Sequence, residues 1–129
     1  MQELPVVLVV EDDQLIQGMV EEVLTEGGFE SFSASSGEEA VSLLEENHGK
    51  YRALITDINL SGELDGWDVA KLARESNADI QVIYVTGAAA HEWPFRGVPN
   101  SVLLTKPFAP AQVVTAVAQL LNTSGPTKS

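Results

Sequence analysis

Four short apolar runs punctuate the chain: Val6–Val10 (VVLVV), Ala53–Thr56 (ALIT), Val82–Thr86 (VIYVT) and Val102–Thr105 (VLLT). None of them alternates apolar with polar residues. A strand with one solvated face would alternate, because successive side chains point to opposite faces. Unalternating runs of this length, rich in β-branched residues, predict strands covered on both faces, as in a parallel sheet. A fifth run, Phe29–Ala34 (FESFSA), is more polar and predicts an edge strand.

Between the runs, apolar residues recur at helical spacing. Leu15, Ile16, Met19, Val20, Val23 and Leu24 form one face between Asp13 and Glu26, closed by Gly27 and Gly28. Ser36 and Glu39 form a capping box ahead of Ala40, Val41, Leu43 and Leu44. Asp65 caps a segment carrying Val69, Leu72 and Ala73, and Pro110 suits the first turn of a last helix. One interval departs from this regularity. Between Thr86 and Ser101, Pro94, Gly97 and Pro99 forbid a long helix, so a helix of a turn or two, or an irregular loop, is expected. The order β-α-β-α-β-α-β-(α)-β-α predicts right-handed crossovers, with helices on both faces of the sheet. The fold class is therefore α/β: a doubly wound, five-stranded parallel sheet in the flavodoxin-like order 2-1-3-4-5, its fourth helix short or irregular.

The length of 129 residues suits one domain with a buried core. We expect the domain to occupy residues 1–122 and a flexible tail residues 123–129, within the turn-rich stretch NTSGPTKS, with no second domain. The absence of cysteine excludes disulfides and thiolate metal sites and fits a reducing compartment. No secretory signal pattern is present, and the apolar runs are too short to span a bilayer. A cytoplasmic location without membrane contact is expected. The net charge of −12, from 19 acidic and 7 basic residues, opposes nucleic-acid binding. Solubility accounts for most of that charge, but not for three acids placed directly after the most apolar strand.

In an open α/β sheet, ligands bind beyond the carboxyl ends of the strands, where the winding reverses. Glu11, Asp12 and Asp13 follow the first strand, and Asp57, Ile58 and Asn59 the third. Thr86 ends the fourth, and Lys106-Pro107 follow the fifth. Carboxylates gathered this closely repel one another, and a hard divalent cation such as Mg²⁺ relieves that repulsion while keeping room for phosphate oxygens. Asp57 is then the candidate nucleophile for phosphoryl transfer. The metal, Lys106 and the Thr86 hydroxyl would each balance one phosphoryl oxygen. Each residue alone has a plainer role as cap, turn residue, strand end or solvated lysine. Their coincidence along one edge carries the reading.

VVLVVEDD, LITDINLSGELDGWDVA, VIYVTGAAA and VLLTKPF, in this order and spacing, resemble the response-regulator receiver domain of the stand-alone, chemotaxis-regulator-like type, from about Val6 to Leu121. The resemblance implies a single-domain response regulator of a two-component system or phosphorelay. Asp57 would be the phosphoacceptor. Asp12 would bind Mg²⁺ directly, Glu11 through water, and Asn59 through its backbone carbonyl. Thr86 and Lys106 would contact the phosphoryl group, with Lys106–Pro107 in the cis form. Such a domain is not an enzyme acting on other substrates; it catalyses only its own phosphorylation and dephosphorylation. Its partners would be a sensor histidine kinase or histidine phosphotransfer protein, docking near the first helix and the strand 5–helix 5 loop, and a downstream protein target. It would be a monomer or weak homodimer.

Two departures from the family pattern bear on the output. Leu103, three residues before the lysine, replaces the family's usual Tyr or Phe at this switch position, and the proline-rich interval replaces the fourth helix. Thr86 and its loop are still expected to shift, through a different relay. Asn59 and Ala88 stand at the two positions that tune phosphoryl lifetime, and Ala88 cannot orient an attacking water, so unusually fast self-dephosphorylation is not expected. Trp93 and Phe95 either form an apolar contact patch or plug the gap left by the shortened helix. A flavodoxin-type electron carrier would need a Ser/Thr-rich loop where the three acids stand, and a haloacid-dehalogenase-type phosphatase a second Asp where Asn59 stands. The remaining alternative is a phosphorylation-independent pseudo-receiver that serves as an interaction module.

Overall fold

A computed structural model of the chain describes residues 4–47 and 49–123. Five strands, β1 (Val6–Val10), β2 (Glu30–Ala34), β3 (Ala53–Asp57), β4 (Gln81–Thr86) and β5 (Val102–Thr105), form one parallel sheet in the order β2-β1-β3-β4-β5. The helices are α1 (Gln14–Glu26), α2 (Gly37–Glu46), α3 (Gly66–Ser76), α4 (Trp93–Arg96) and α5 (Pro110–Thr123), with a 3₁₀ turn at Ala90–Glu92 leading into α4. This is the expected doubly wound order. β3 is buried at all five positions, which explains its unalternating sequence.

The sheet separates two apolar layers. Val7, Val9, Ile55, Ile83 and Val85 face α1 and α5. Leu8, Val10, Leu54, Val82 and Tyr84 face α2 and α3. Alternate strand positions thus feed opposite layers, and both layers are apolar because both faces are roofed.

Local sequence chemistry sets the helix starts. The Asp13 carboxylate accepts from the N–H groups of Leu15 and Ile16 at 3.0 and 3.3 Å. Asp65 and Asp68 close a reciprocal capping box on α3, at 3.0 and 3.1 Å. The box expected at α2 closes differently. Ser36 Oγ accepts from Glu39 N at 3.1 Å, but the Glu39 carboxylate takes the N–H of Ser35, at 2.8 Å.

The interval after β4 holds the short helix that Pro94, Gly97 and Pro99 impose. Its two aromatics part company, so neither expectation covers both. Trp93 packs against the α2/α3 layer and donates its indole N–H to Ser101 Oγ at 2.9 Å, whereas Phe95 is 87% exposed. α5 continues through Asn122 to Thr123, where the tail was expected to begin; residues 124–129 of that expected tail lie outside the described residues.

Candidate functional site

β1 and β3 are neighbours, and their connections leave in opposite directions, so a crevice opens at their carboxyl ends. The register pairs Val10 with Thr56, which sets Glu11 beside Asp57. Carboxylate oxygens of Glu11, Asp12 and Asp57 lie within 4.8 Å of one another. Glu11 and Asp57 are buried, at 4% and 6% exposure, while Asp12 is open to solvent. From the far side, Lys106 Nζ reaches Asp57 Oδ2 at 3.1 Å and Glu11 Oε1 at 3.6 Å. Its backbone N–H donates to Thr86 O at 2.8 Å, tying the lysine to the end of β4. The Lys106–Pro107 bond is cis.

The electrostatics follow from this crowding. The Glu11 carboxyl is raised to about 7: burial is the largest cause and the charge of Asp57 adds to it, while the N–H of Asp13 and the Lys106 ammonium oppose. Burial by itself lowers Lys106, but its hydrogen bond and attraction to Asp57, helped by Glu11, outweigh that and hold it above the ordinary lysine value. One ammonium therefore serves a site that holds more negative charge than it can neutralise. The donors are all hard carboxylate oxygens, and one side is solvated. That donor set fits Mg²⁺, which keeps several waters and takes few protein oxygens.

The remaining expected site residues take different positions. Asn59 is exposed, and its N–H donates to Asp57 Oδ1 at 3.3 Å. Thr86 is fully buried next to β3, but its hydroxyl oxygen accepts from the N–H groups of Ala88 and Ala89, at 3.1 and 2.8 Å. It is turned into its own loop, and among the described residues no hydrogen bond joins it to Asp57. Leu103 is half-buried in β5, opposite Tyr84.

Two residues packed against the site, Gly66 and Tyr84, carried no role in the sequence analysis. A Cβ on Gly66 would lie 2.3 Å from the Asp57 carbonyl oxygen, so only glycine allows α3 to start against the backbone of Asp57. A glycine as first residue of a helix, where it is a poor helix former, was the available signal. Tyr84 is fully buried, accepts the N–H of Val98 at 3.0 Å and packs its ring against Trp67 at a 52° tilt, 4.9 Å between centroids. Its position two before Thr86, on the same face of β4, was the clue.

A family model described as the response regulator receiver domain matches residues 7–118. The sensor kinase CckA of Brucella abortus is 30% identical over 119 residues, covering 90% of this chain and 12% of that protein. The transcriptional regulatory protein PrrA of Mycobacterium tuberculosis is 33% identical over 125 residues, covering 95% of this chain and 52% of that protein. The chain thus spans about half the length of one relative and far less of the other. Among solved structures, a response regulator receiver protein from Sinorhizobium medicae is 38% identical with a TM-score of 0.90, covering 95% of this chain and 98% of its own. Among the described residues, no helix is long and apolar enough to cross a membrane.

Proposed function

The chain belongs to the response regulator receiver domain family of two-component systems, and we propose that Asp57 is its phosphoacceptor. One observation carries the reading: Lys106 Nζ stands 3.1 Å from the Asp57 carboxylate, while oxygens of Glu11, Asp12 and Asp57 gather within 4.8 Å. Receiver domains bind Mg²⁺ at an acidic site, and here Glu11, Asp12, Asp57 and the backbone carbonyl of Asn59 would hold it. When bound, the ion supplies positive charge that offsets the carboxylates and the incoming phosphoryl oxygens.

In the proposed step, an Asp57 carboxylate oxygen attacks the phosphorus of a phosphohistidine in line. The P–N bond breaks, the imidazole nitrogen leaves with the electron pair, and an acyl phosphate forms on Asp57. Lys106 exchanges its contact with Asp57 Oδ2 for a phosphoryl oxygen. The Thr86 hydroxyl uses its oxygen to accept from Ala88 and Ala89, so its own proton is free to donate to a phosphoryl oxygen once the loop moves inward. Because Gly66 abuts the backbone of Asp57, α3 keeps the acceptor in place as this happens.

The phosphodonor in this reading is a phosphohistidine on a sensor kinase or histidine phosphotransfer protein. An apolar hollow of about 370 Å³ beside Lys106, lined by Ile16, Met19, Pro107 and Phe108, supports docking at α1 and the loop before α5. Leu15, 86% exposed, extends that surface. The chain acts as a phosphoacceptor that changes its protein contacts or passes the phosphoryl group on, rather than as an enzyme that turns over other substrates.

Beryllofluoride with Mg²⁺, a stable mimic of the aspartyl phosphate, tests the reading. Amide signals of Thr86–Ala89 and Lys106 should move in the wild type and stay put in Asp57→Asn. Unchanged wild-type spectra would contradict the proposal.

A further inference from the structure

The loop from Asn59 to Asp65 joins the acceptor strand to α3, and it is mostly exposed. Its backbone is nevertheless held almost residue by residue. Asn59 N–H donates to Asp57 Oδ1 and Ser61 N–H to Asp12 Oδ2, at 3.3 and 3.2 Å. Glu63 N–H and Leu64 N–H both donate to a single oxygen of Glu38, at 2.8 and 3.1 Å. Glu38 comes from the first turn of α2, outside the acidic site. Gly62, between these anchors, has φ of +100°, and a Cβ there would lie 2.8 Å from the other oxygen of Glu38. The loop thus has a glycine where the Glu38 carboxylate needs the space.

The anchors differ in one respect. Asp12 and Asp57 both anchor the loop and belong to the set that would hold the cation. An ion drawing on their oxygens competes with the bonds to Ser61 and Asn59. Glu38 has no place in that set, so its two bonds persist whatever the charge state of the site. We propose that Glu38 is a positioning residue: from α2 it fixes the loop that presents the Asn59 carbonyl, so that the loop backbone is already in place when the cation arrives. The inference rests on the assignment of the acidic site to Mg²⁺. The physical reason is preorganisation. A ligand on a loop already ordered loses less freedom when the ion binds.

The test is a Mg²⁺ titration without phosphodonor, followed by the amide shifts of Asn59 and Ser61. Glu38→Ala should raise the Mg²⁺ dissociation constant by about threefold to tenfold: its bonds go to Glu63 and Leu64 rather than to Asn59 itself, so the cost lies at or below the low end of that for losing a direct outer partner of a metal ligand. Glu38→Asp keeps the charge but is one methylene too short to reach both N–H groups, and it should weaken binding similarly. Glu38→Gln keeps a carbonyl oxygen that can accept from both, and it should restore most of the affinity. Glu39→Ala, which removes only the bond from Ser35, should bind as the wild type does. The Asp and Gln variants decide the matter even if Glu38→Ala does not fold. Wild-type affinity in Glu38→Asp, or an equal loss in Glu39→Ala, would overturn the role of Glu38. A wild type that binds no Mg²⁺ would overturn the reading of the site itself.

Discussion

Glu11 offers a test of the site's electrostatics that needs no phosphodonor. In the metal-free protein its carboxyl is 4% exposed and faces Asp57, and it holds its proton up to about pH 7 rather than 4.5. The unfolded chain loses that proton near 4.5, so between the two values the folded state binds the extra proton. Stability must then fall as pH rises through this window, and level off above it. At ~1.4 kcal/mol per pH unit, the displacement from 4.5 to about 7 amounts to about 3–4 kcal/mol from Glu11 alone, of which about 2–3 kcal/mol falls between pH 5 and pH 8. Lys106 is held above its ordinary value and stays charged throughout, so it adds no slope. Urea denaturation in EDTA, from about pH 5 to about pH 8, should show this fall in the wild type. Glu11→Gln has nothing to titrate there, and its advantage over the wild type should grow by about 2–3 kcal/mol across the same range. Added Mg²⁺ favours the ionised carboxylate, so it should bind more tightly as pH rises and flatten the wild-type slope. Parallel curves for wild type and Glu11→Gln in EDTA would show that Glu11 does not retain its proton in the folded state.

Three further outcomes follow from the packing. Gly66→Ala sets a methyl 2.3 Å from a backbone oxygen that cannot move alone, and should cost about 1–3 kcal/mol in urea denaturation while slowing phosphorylation of Asp57. Tyr84→Phe leaves the N–H of Val98 without its acceptor; a loss of about 1–3 kcal/mol and faster amide exchange at Val98 are expected. Phe95→Ser alters a side chain that is 87% exposed, so stability should change by less than about 0.5 kcal/mol in the same urea assay.

The strands and the acidic edge were readable from the chain because both follow short-range rules. Val6–Val10 and Ala53–Asp57 are buried on both faces, which leaves no alternation, and the residue after such a strand lands at the carboxyl edge. Once the strand order was set, Glu11 and Asp57 had to be neighbours, and Lys106, one strand further away beyond β4, reaches them along the same edge through its long side chain. The orientation of Thr86 was not readable, since its hydroxyl answers to two loop amides whose geometry exists only after folding. Gly66 and Glu38 were missed for a similar reason. One matters through a close approach to the backbone of Asp57, and the other through bonds to residues 25 and 26 positions away. Neither leaves a periodic signature. Trp93 and Phe95 shared one expectation, because spacing alone does not reveal that Ser101 returns to meet the indole of one and leaves the other in solvent.

Tyr84 gives the shortened segment after β4 a physical basis. With Leu103 half-buried where the family usually carries an aromatic, the buried aromatic on this face lies on β4, two residues before Thr86. Its hydroxyl accepts from Val98, and Arg74 holds the carbonyl of Pro99 at 2.7 Å. The short α4 segment is thus tied to β4 and α3. A displacement of Thr86 would reach this segment through β4 and Tyr84.

The proposed chemistry depends on Asp57 accepting a phosphoryl group. A small-molecule phosphodonor with Mg²⁺, followed by borohydride reduction and peptide mapping, tests it most directly, because reduction converts an aspartyl phosphate to homoserine. Homoserine is expected at position 57 in the wild type, Mg²⁺-dependent, with no phosphoryl gain in Asp57→Asn. Absence of the conversion at 57 in the wild type, or an undiminished phosphoryl gain in Asp57→Asn, would contradict it.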